Sequence, residues 1–362
     1  MIPGDPSVST ERYRIARMFA RRLAFISLAA VAVCALVGIS ITVGTSGISA
    51  EDAYKAIVNW VLPGTFGDVS DQTMRIVMNL RAPRVLMAVF AGASLAIGGC
   101  ITQSLLKNPL ATPYTLGVSS GAGFGAALVI LLGVGIAGAG TEGIIANAFV
   151  FSLIPVAVVV AASRFRNMTP LMIILCGVAM SYVFSASNTI FQFFGEPSAV
   201  KSVVFWMVGD LNEVVLWNVP YVAVVAVAAL IVAMLLAKDM NIMRMGDDTA
   251  RGLGVNTDLV RTSGLVMACL LTAVTVSFTG CIGFVCLLAP QISRIFVGGE
   301  MQYLLPASAL TGAALLSVAD MVAKTVFAPV MLPVGAVTAL VGGPVLIMLL
   351  LSSVSASAGV RD

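Results

Sequence analysis

Histidine is absent from all 362 residues. Its absence removes the commonest metal ligand and the side chain most often used as a general base near neutral pH. Charge is scarce too: Asp, Glu, Lys and Arg make up 10% of the chain, with a net balance of +3. So small a balance gives no basic field for nucleic acid. The six cysteines (Cys34, Cys100, Cys176, Cys269, Cys281, Cys286) lie in apolar segments and form no CxxC pair. They read as small hydrophobes, not as a disulfide framework or a metal site. No GxxxxGK followed by Ser or Thr occurs, so the chain cannot cradle nucleotide phosphates in that way. Ser-His-Asp, HExxH and paired-carboxylate arrangements are missing as well.

Apolar residues are abundant, at 59% of the chain with a mean hydropathy of +1.03. A water-soluble core cannot use so much apolar surface, and the runs are continuous, which excludes an alternating β-barrel pattern. At about 20 residues per span the content corresponds to roughly ten membrane helices. The expected class is therefore an all-α polytopic membrane protein. The spans fall near 22–43, 85–106, 116–137, 146–163, 170–194, 219–237, 262–280, 282–298, 304–327 and 333–351. Ten spans place both termini on one side. Fourteen of the twenty Lys and Arg fall on that side, so the termini are expected to be cytoplasmic. Arg21 and Arg22 lead into a run long enough to span, which reads as an uncleaved first helix. The organisation is a basic segment 1–21, a membrane domain 22–351 and a tail 352–362.

Two connections have content. In the external stretch 44–79, Ser49 and Asp52 fit a capping box opening a short amphipathic helix. The cytoplasmic stretch 238–261, KDMNIMRMGDDTARGLGVNTDLVR, is the longest inner connection. Asp247 and Asp248 suit the positive end of a short helix, with Arg251 in its last turn, and Gly252 and Gly254 stop it. Asn256 can cap a second. Two short helices joined by a glycine turn would form a knob beneath the bilayer.

Ionisable residues are nearly missing from the span centres, which weakens an ion-coupled pump. Asp320 is the exception. It lies near an external helix end with Lys324 four residues on, a spacing that fits a surface pair. In the run LRAPRVLMAVFAGASLAIGGCITQSLLKNPLATPYTLGVSSGAGFGA, Arg81 and Arg84 bracket Pro83, a helix-length segment follows, and Asn108-Pro109-Leu110-Ala111 makes a turn. Pro109 ends the helix and leaves carbonyls that a turn can satisfy. Gly117, Gly121, Gly123 and Gly125 suit close helix packing in lipid. The fifth span holds Ser181, Ser185, Ser187 and Asn188, the most polar membrane interior of the chain.

That run resembles the FecCD-type permease family, the membrane subunits of ABC importers for iron-siderophores, haem and cobalamin. Arg81, Pro83, Arg84, Gln103, Asn108, Pro109, Leu110, Ala111, Pro113, Leu116, Gly117, Ser119, Gly121 and Ala122 match the family's pattern. FWMVGDL (205–211), GDDTARGLGV (246–255), GCIGFVCLLAPQISR (280–294) and the stretch 304–351 are similar too. One departure is Gln291 after Pro290, where the family usually carries histidine; Gln keeps hydrogen bonding but cannot titrate.

The resemblance implies a type II ABC importer permease architecture and a set of roles. Arg81, Arg84 and Lys324 match positions that meet acidic residues of an external solute-binding protein, as arginine suits bidentate pairing with carboxylates. Asn108 and Leu110 become inner-gate candidates, with Ser181, Ser185 and Asn188 along the pathway. Asp247, Asp248, Arg251, Gly252 and Gly254 match the coupling segment that docks on the ATPase. Each of these positions also has a plain structural reading: snorkelling arginines, a helix-ending loop, hydroxyls bonded to neighbouring helices, a solvated loop. The implied partners are a second permease subunit, identical or paralogous, two ATPase subunits that hold ATP and Mg, the binding protein, a metal chelate and membrane lipid. This chain itself is expected to bind no cofactor or metal and to be no enzyme, in the plasma membrane of a bacterium or archaeon. The competing class is an ion-coupled secondary transporter.

Overall fold

A computed structural model describes residues 6–44, 47–67, 69–163 and 169–358. Fourteen α-helices run through them: α1 Pro6–Thr42, α2 Ala50–Val61, α3 Asp71–Ile76, α4 Ala82–Leu105, α5 Val118–Leu132, α6 Thr141–Ser163, α7 Pro170–Phe194, α8 Pro197–Val208, α9 Val219–Met243, α10 Asp247–Gly252, α11 Thr257–Thr279, α12 Val285–Val297, α13 Met301–Thr325 and α14 Val334–Ala358. Among the described residues seven helices are long and apolar enough to cross a membrane. The shorter apolar helices α5 and α12 and the stretch Val334–Leu349 of α14 account for the other expected spans. Arg164, Arg166 and Arg361, counted on the cytoplasmic side, lie outside the described residues, as do 1–5 and 359–362 of the expected end segments.

Local chemistry sets the helix ends. Ser49 accepts the Asp52 N–H and opens α2, as expected; its hydroxyl also donates to the Asp52 carboxylate. Prolines occupy the first turns of α7, α8 and α9, where a missing N–H costs nothing. Gly133 ends α5 in a left-handed conformation, so the third span stops short of residue 137. A single π turn, Val77–Arg81, joins α3 to α4, so the second span is the far end of a longer rod, Asp71–Leu105. Helix α8 was not anticipated: it is only 12 residues long and carries Lys201.

Helix α4 is the hub, packed against α13, α11, α9 and α12. Gly92 of α4 and Gly312 of α13 allow this approach, because a Cβ on either would strike the other's carbonyl. Helices α5 and α6 close in the same way, with Gly121 and Gly125 against the carbonyls of Phe151 and Asn147. Two apolar clusters stack along the bundle. One holds Ile101, Leu105, Met240 and Leu304; the other holds Met87, Leu95, Leu211 and Leu316. The first surrounds the end bearing Lys107 and α10, called inner here; the second surrounds the end bearing Arg84, called outer.

Candidate functional site

At the outer end, the three basic residues expected to face solvent are buried. Arg81, Arg84 and Lys324 are 6%, 5% and 4% exposed, and Asp320 is fully buried. The surface pair expected of Asp320 and Lys324 is thus an interior one, and a third member joins it. Lys324 Nζ lies 2.6 Å from Asp320 Oδ2, and Arg84 Nε donates to Asp320 Oδ1 at 2.5 Å. Burial follows from what packs above. Arg84 Nη1 donates to Asn212, which in turn donates to Asp210, so the loop after α8 lies over the arginine. Arg81 Nη1 donates to the carbonyls of Ile41 and Thr42 at 2.8 and 3.1 Å, satisfying the otherwise unpaired end of α1. Lys324 reaches Ser40 of the same helix end at 3.2 Å.

At the inner end, α4 stops at Leu105, and Lys107 adopts a left-handed backbone with φ of 51°. Asn108 Oδ1 accepts the Leu110 N–H at 2.9 Å, a side-chain turn that satisfies the chain after Pro109. Leu110 is exposed. Gln291 of α12 clips this turn: its Nε2 donates to Pro109 O at 2.9 Å and to Gln103 Oε1 at 3.2 Å. A primary amide has two N–H donors and can serve both acceptors without titrating.

The knob forms close to the expected pattern, with one correction. Helix α10 is short, but the helix capped by Asn256 is the start of α11, continuous into the membrane segment. The loop proper is therefore 244–256. The end of α10 is a Schellman motif: Val255 N–H bonds Ala250 O and Gly254 N–H bonds Arg251 O, both at 3.0 Å, with Gly254 at φ of 86°. Asp247 anchors the knob. Its carboxylate accepts from Lys107 Nζ at 2.8 Å, beside the inner turn, and from Arg261 of α11. Burial alone would raise the Asp247 pKa, but the two cations outweigh it and hold the carboxyl below its usual range. Asp248, Arg251, Gly252 and Gly254 are exposed on the far side. So are Met245 and Leu253, at 71% and 63%, apolar side chains the charge pattern did not single out.

The polar residues of α7 do not gather. Ser181 and Ser187 hydroxyls donate to carbonyls one turn back in their own helix, at 3.0 and 2.8 Å. Ser185 is exposed, while Asn188 is buried and donates to Met207 Sδ of α8. The rest of the helix presents Tyr182, Val183, Ile190, Phe193 and Phe194 outward.

The profile of the FecCD transport family matches residues 30–352. This chain belongs to the FecCD transport family. It is 40% identical over 307 residues to a putative ABC transporter permease of Methanocaldococcus jannaschii, covering 82% of this chain and 88% of that one. The hemin transport system permease of Yersinia pestis is 33% identical over 284 residues, covering 78% and 85%. A solved structure, an inward-facing conformation of a putative metal-chelate type ABC transporter, aligns with a TM-score of 0.78 and 26% identity over 90% of this chain and 98% of that one. The FecCD chain described here is thus a multi-pass membrane permease of ABC-transporter type. Lys107, Arg261 and Asn212 are the residues that sequence reasoning passed over. Lys107 stands next to the Asn-Pro turn, but its partner lies 140 residues away.

Proposed function

We propose that this FecCD chain translocates a metal chelate inward by alternating access, as one of two permease subunits above two ATPase subunits. Haem-type and other chelate cargoes are the class that the hemin permease and the metal-chelate transporter support. The observation that carries the reading is the knob. Its outer face offers Met245 and Leu253 to a partner, while its inner face is tied through Asp247 to both α11 and the end of α4. A push on α10 therefore reaches the Asn108–Leu110 turn through one carboxylate. Rigid tilting of packed helices is the matching motion. Both chain ends would be cytoplasmic, because Arg22 of α1 pairs with Glu300 at the same end as the knob and α14 starts at the outer loop, where Gly335 N–H donates to Gly209 O, and so runs inward.

At the outer end a binding protein would dock over the loop that covers Arg84. An acidic side chain of that protein would replace Asn212 as the acceptor of Arg84 Nη1, with Arg81 and Lys324 holding the surface beneath. The exposed apolar face of α7 would meet the second subunit, and Ser185 would line the pathway between them. An ion-coupled transporter draws no support from Asp320, the buried acid among the described residues, since two cations already neutralise it.

The test is Leu253→Glu on the knob. The variant should keep its thermal stability yet lose co-purification with the ATPase and lose ATP-driven uptake in proteoliposomes. Normal assembly and uptake would overturn the reading, as would uptake driven by an ion gradient with no ATPase present.

A further inference from the structure

Beside the inner turn lies a cavity of about 270 Å³ whose charged lining is all cationic, with neutral Gln103, Ser104 and Asn108 beside it. Lys107, Arg244 and Arg294 all border it, and no carboxylate does among the described residues. The neighbouring acids are already committed, Asp247 to Lys107 and Arg261, and Glu300 to Arg22. Arg244 and Arg294 have no ion pair among the described residues. Arg244 donates to the Gly299 carbonyl. Arg294 is half-buried, and its Nε is buried with no hydrogen-bond partner. A buried guanidinium donor without an acceptor costs free energy, and two guanidiniums sharing one cavity repel. The first turn of the 25-residue α13 also reaches the cavity through Met301, adding the positive end of a helix dipole.

We propose that this cavity binds a phosphate-type oxyanion, with Arg294 and Arg244 as its ligands. Guanidinium forks match the spacing of phosphate oxygens and leave Arg294 with an acceptor it otherwise lacks. A bound anion would tie the ends of α9, α12 and α13 together next to the Asn108–Pro109 turn. Two sources offer this chemistry: the headgroup of an anionic lipid in the inner leaflet, or free phosphate from the cytoplasm.

The experiment uses the full chain purified in uncharged detergent. Native mass spectrometry and thermal unfolding are run with inorganic phosphate, and separately with phosphatidylglycerol against phosphatidylcholine. Wild type should bind and be stabilised by at least one of the two anions. Phosphate binding alone assigns a soluble source, and phosphatidylglycerol binding alone assigns the lipid. Arg294→Gln should weaken that binding by about tenfold or more, the loss of a charge-assisted contact. Without anion, Arg294→Gln should be at least as stable as wild type, since it removes an unpaired charge. The proposal is overturned if neither anion binds, if the variant binds equally well, or if the variant is less stable without anion. Loss of ATPase co-purification in Arg294→Gln with no anion binding by wild type would also overturn it, by assigning the arginine to a protein partner. None of these readouts involves Leu253, so failure here leaves the knob reading standing.

Discussion

The two ends of the bundle handle charge in opposite ways. At the outer end Arg84, Asp320 and Lys324 are sealed among α1, α4, α13 and the loop after α8, each within 6% exposure. At the inner end Asp247 holds one buried cation, Arg261, and one half-exposed cation, Lys107, while two further arginines face an open cavity. The buried cluster cannot change partners without moving a helix end. The inner one can, because water reaches it. A gate, the role proposed for the inner turn, needs contacts that are made and broken at modest cost, and the inner arrangement suits it. On the same proposal the outer cluster would fix the surface on which a partner lands.

The largest effect that would separate the two ends is expected at Asp320. Asp320→Asn leaves Arg84 and Lys324 buried without a carboxylate, and breaking a buried pair in this way costs about 3–5 kcal/mol. Thermal unfolding of the detergent-purified chain should show a large drop in midpoint. Removing the whole cluster sharpens the point. Asp320→Leu combined with Arg84→Met and Lys324→Met should recover most of the loss, as apolar replacement of a buried ion set is often neutral. A single variant as stable as wild type would mean that water reaches the cluster and that the two ends do not differ.

Much of this was legible in the chain, and the exceptions have physical causes. The ten apolar runs, the Ser49 cap, the Gly254 stop and the Asn256 cap are local features, written in consecutive residues. Asp320 and Lys324 stood at helical spacing, but Arg84 lies 236 residues from Asp320, and the loop that buries them lies between the two, 128 residues after Arg84. Burial is a tertiary outcome that i to i+4 spacing cannot report. Helix α8 escaped because 12 residues with a lysine satisfy neither a membrane length nor an amphipathic surface pattern. The polar opening of α11, Thr257 to Arg261, reads as a separate short helix after its Asn256 cap, because its charged residues hide the continuity with the membrane segment. For the candidate site, residue identities could be named from the motif, whereas their pairings could not. Lys107 with Asp247 and Gln291 with Pro109 each join segments more than a hundred residues apart.

A smaller effect is expected from Asp247→Asn. The pair to Lys107 is partly solvated, so its loss costs on the order of 1 kcal/mol or less. The neutral side chain can still accept from Arg261, so the fold should survive. Hydrogen exchange in residues 244–256 should rise severalfold while exchange in α4 and α13 stays at wild-type values. ATP-driven uptake should fall more than ATPase binding, since the knob would dock but transmit poorly. Unchanged exchange in 244–256 would show that the carboxylate is not what holds the knob, and the contrast with the sealed outer cluster would lose its basis.

The smallest effect is the acid response of the same carboxyl. Its folded pKa lies below the ordinary carboxylate value, so its contribution is fully present above about pH 4 and is lost as pH falls through the lowered value. Between pH 8 and pH 5, exchange protection of the knob should therefore stay flat once corrected for intrinsic rates. Below that range it should decline in wild type, and Asp247→Asn should already show the lowered protection at every pH. High salt should imitate part of the acid effect, because the Lys107 arm is exposed to screening whereas the Arg261 arm is buried. A wild-type knob whose protection titrates between pH 5 and 8 would have to be held by some other group.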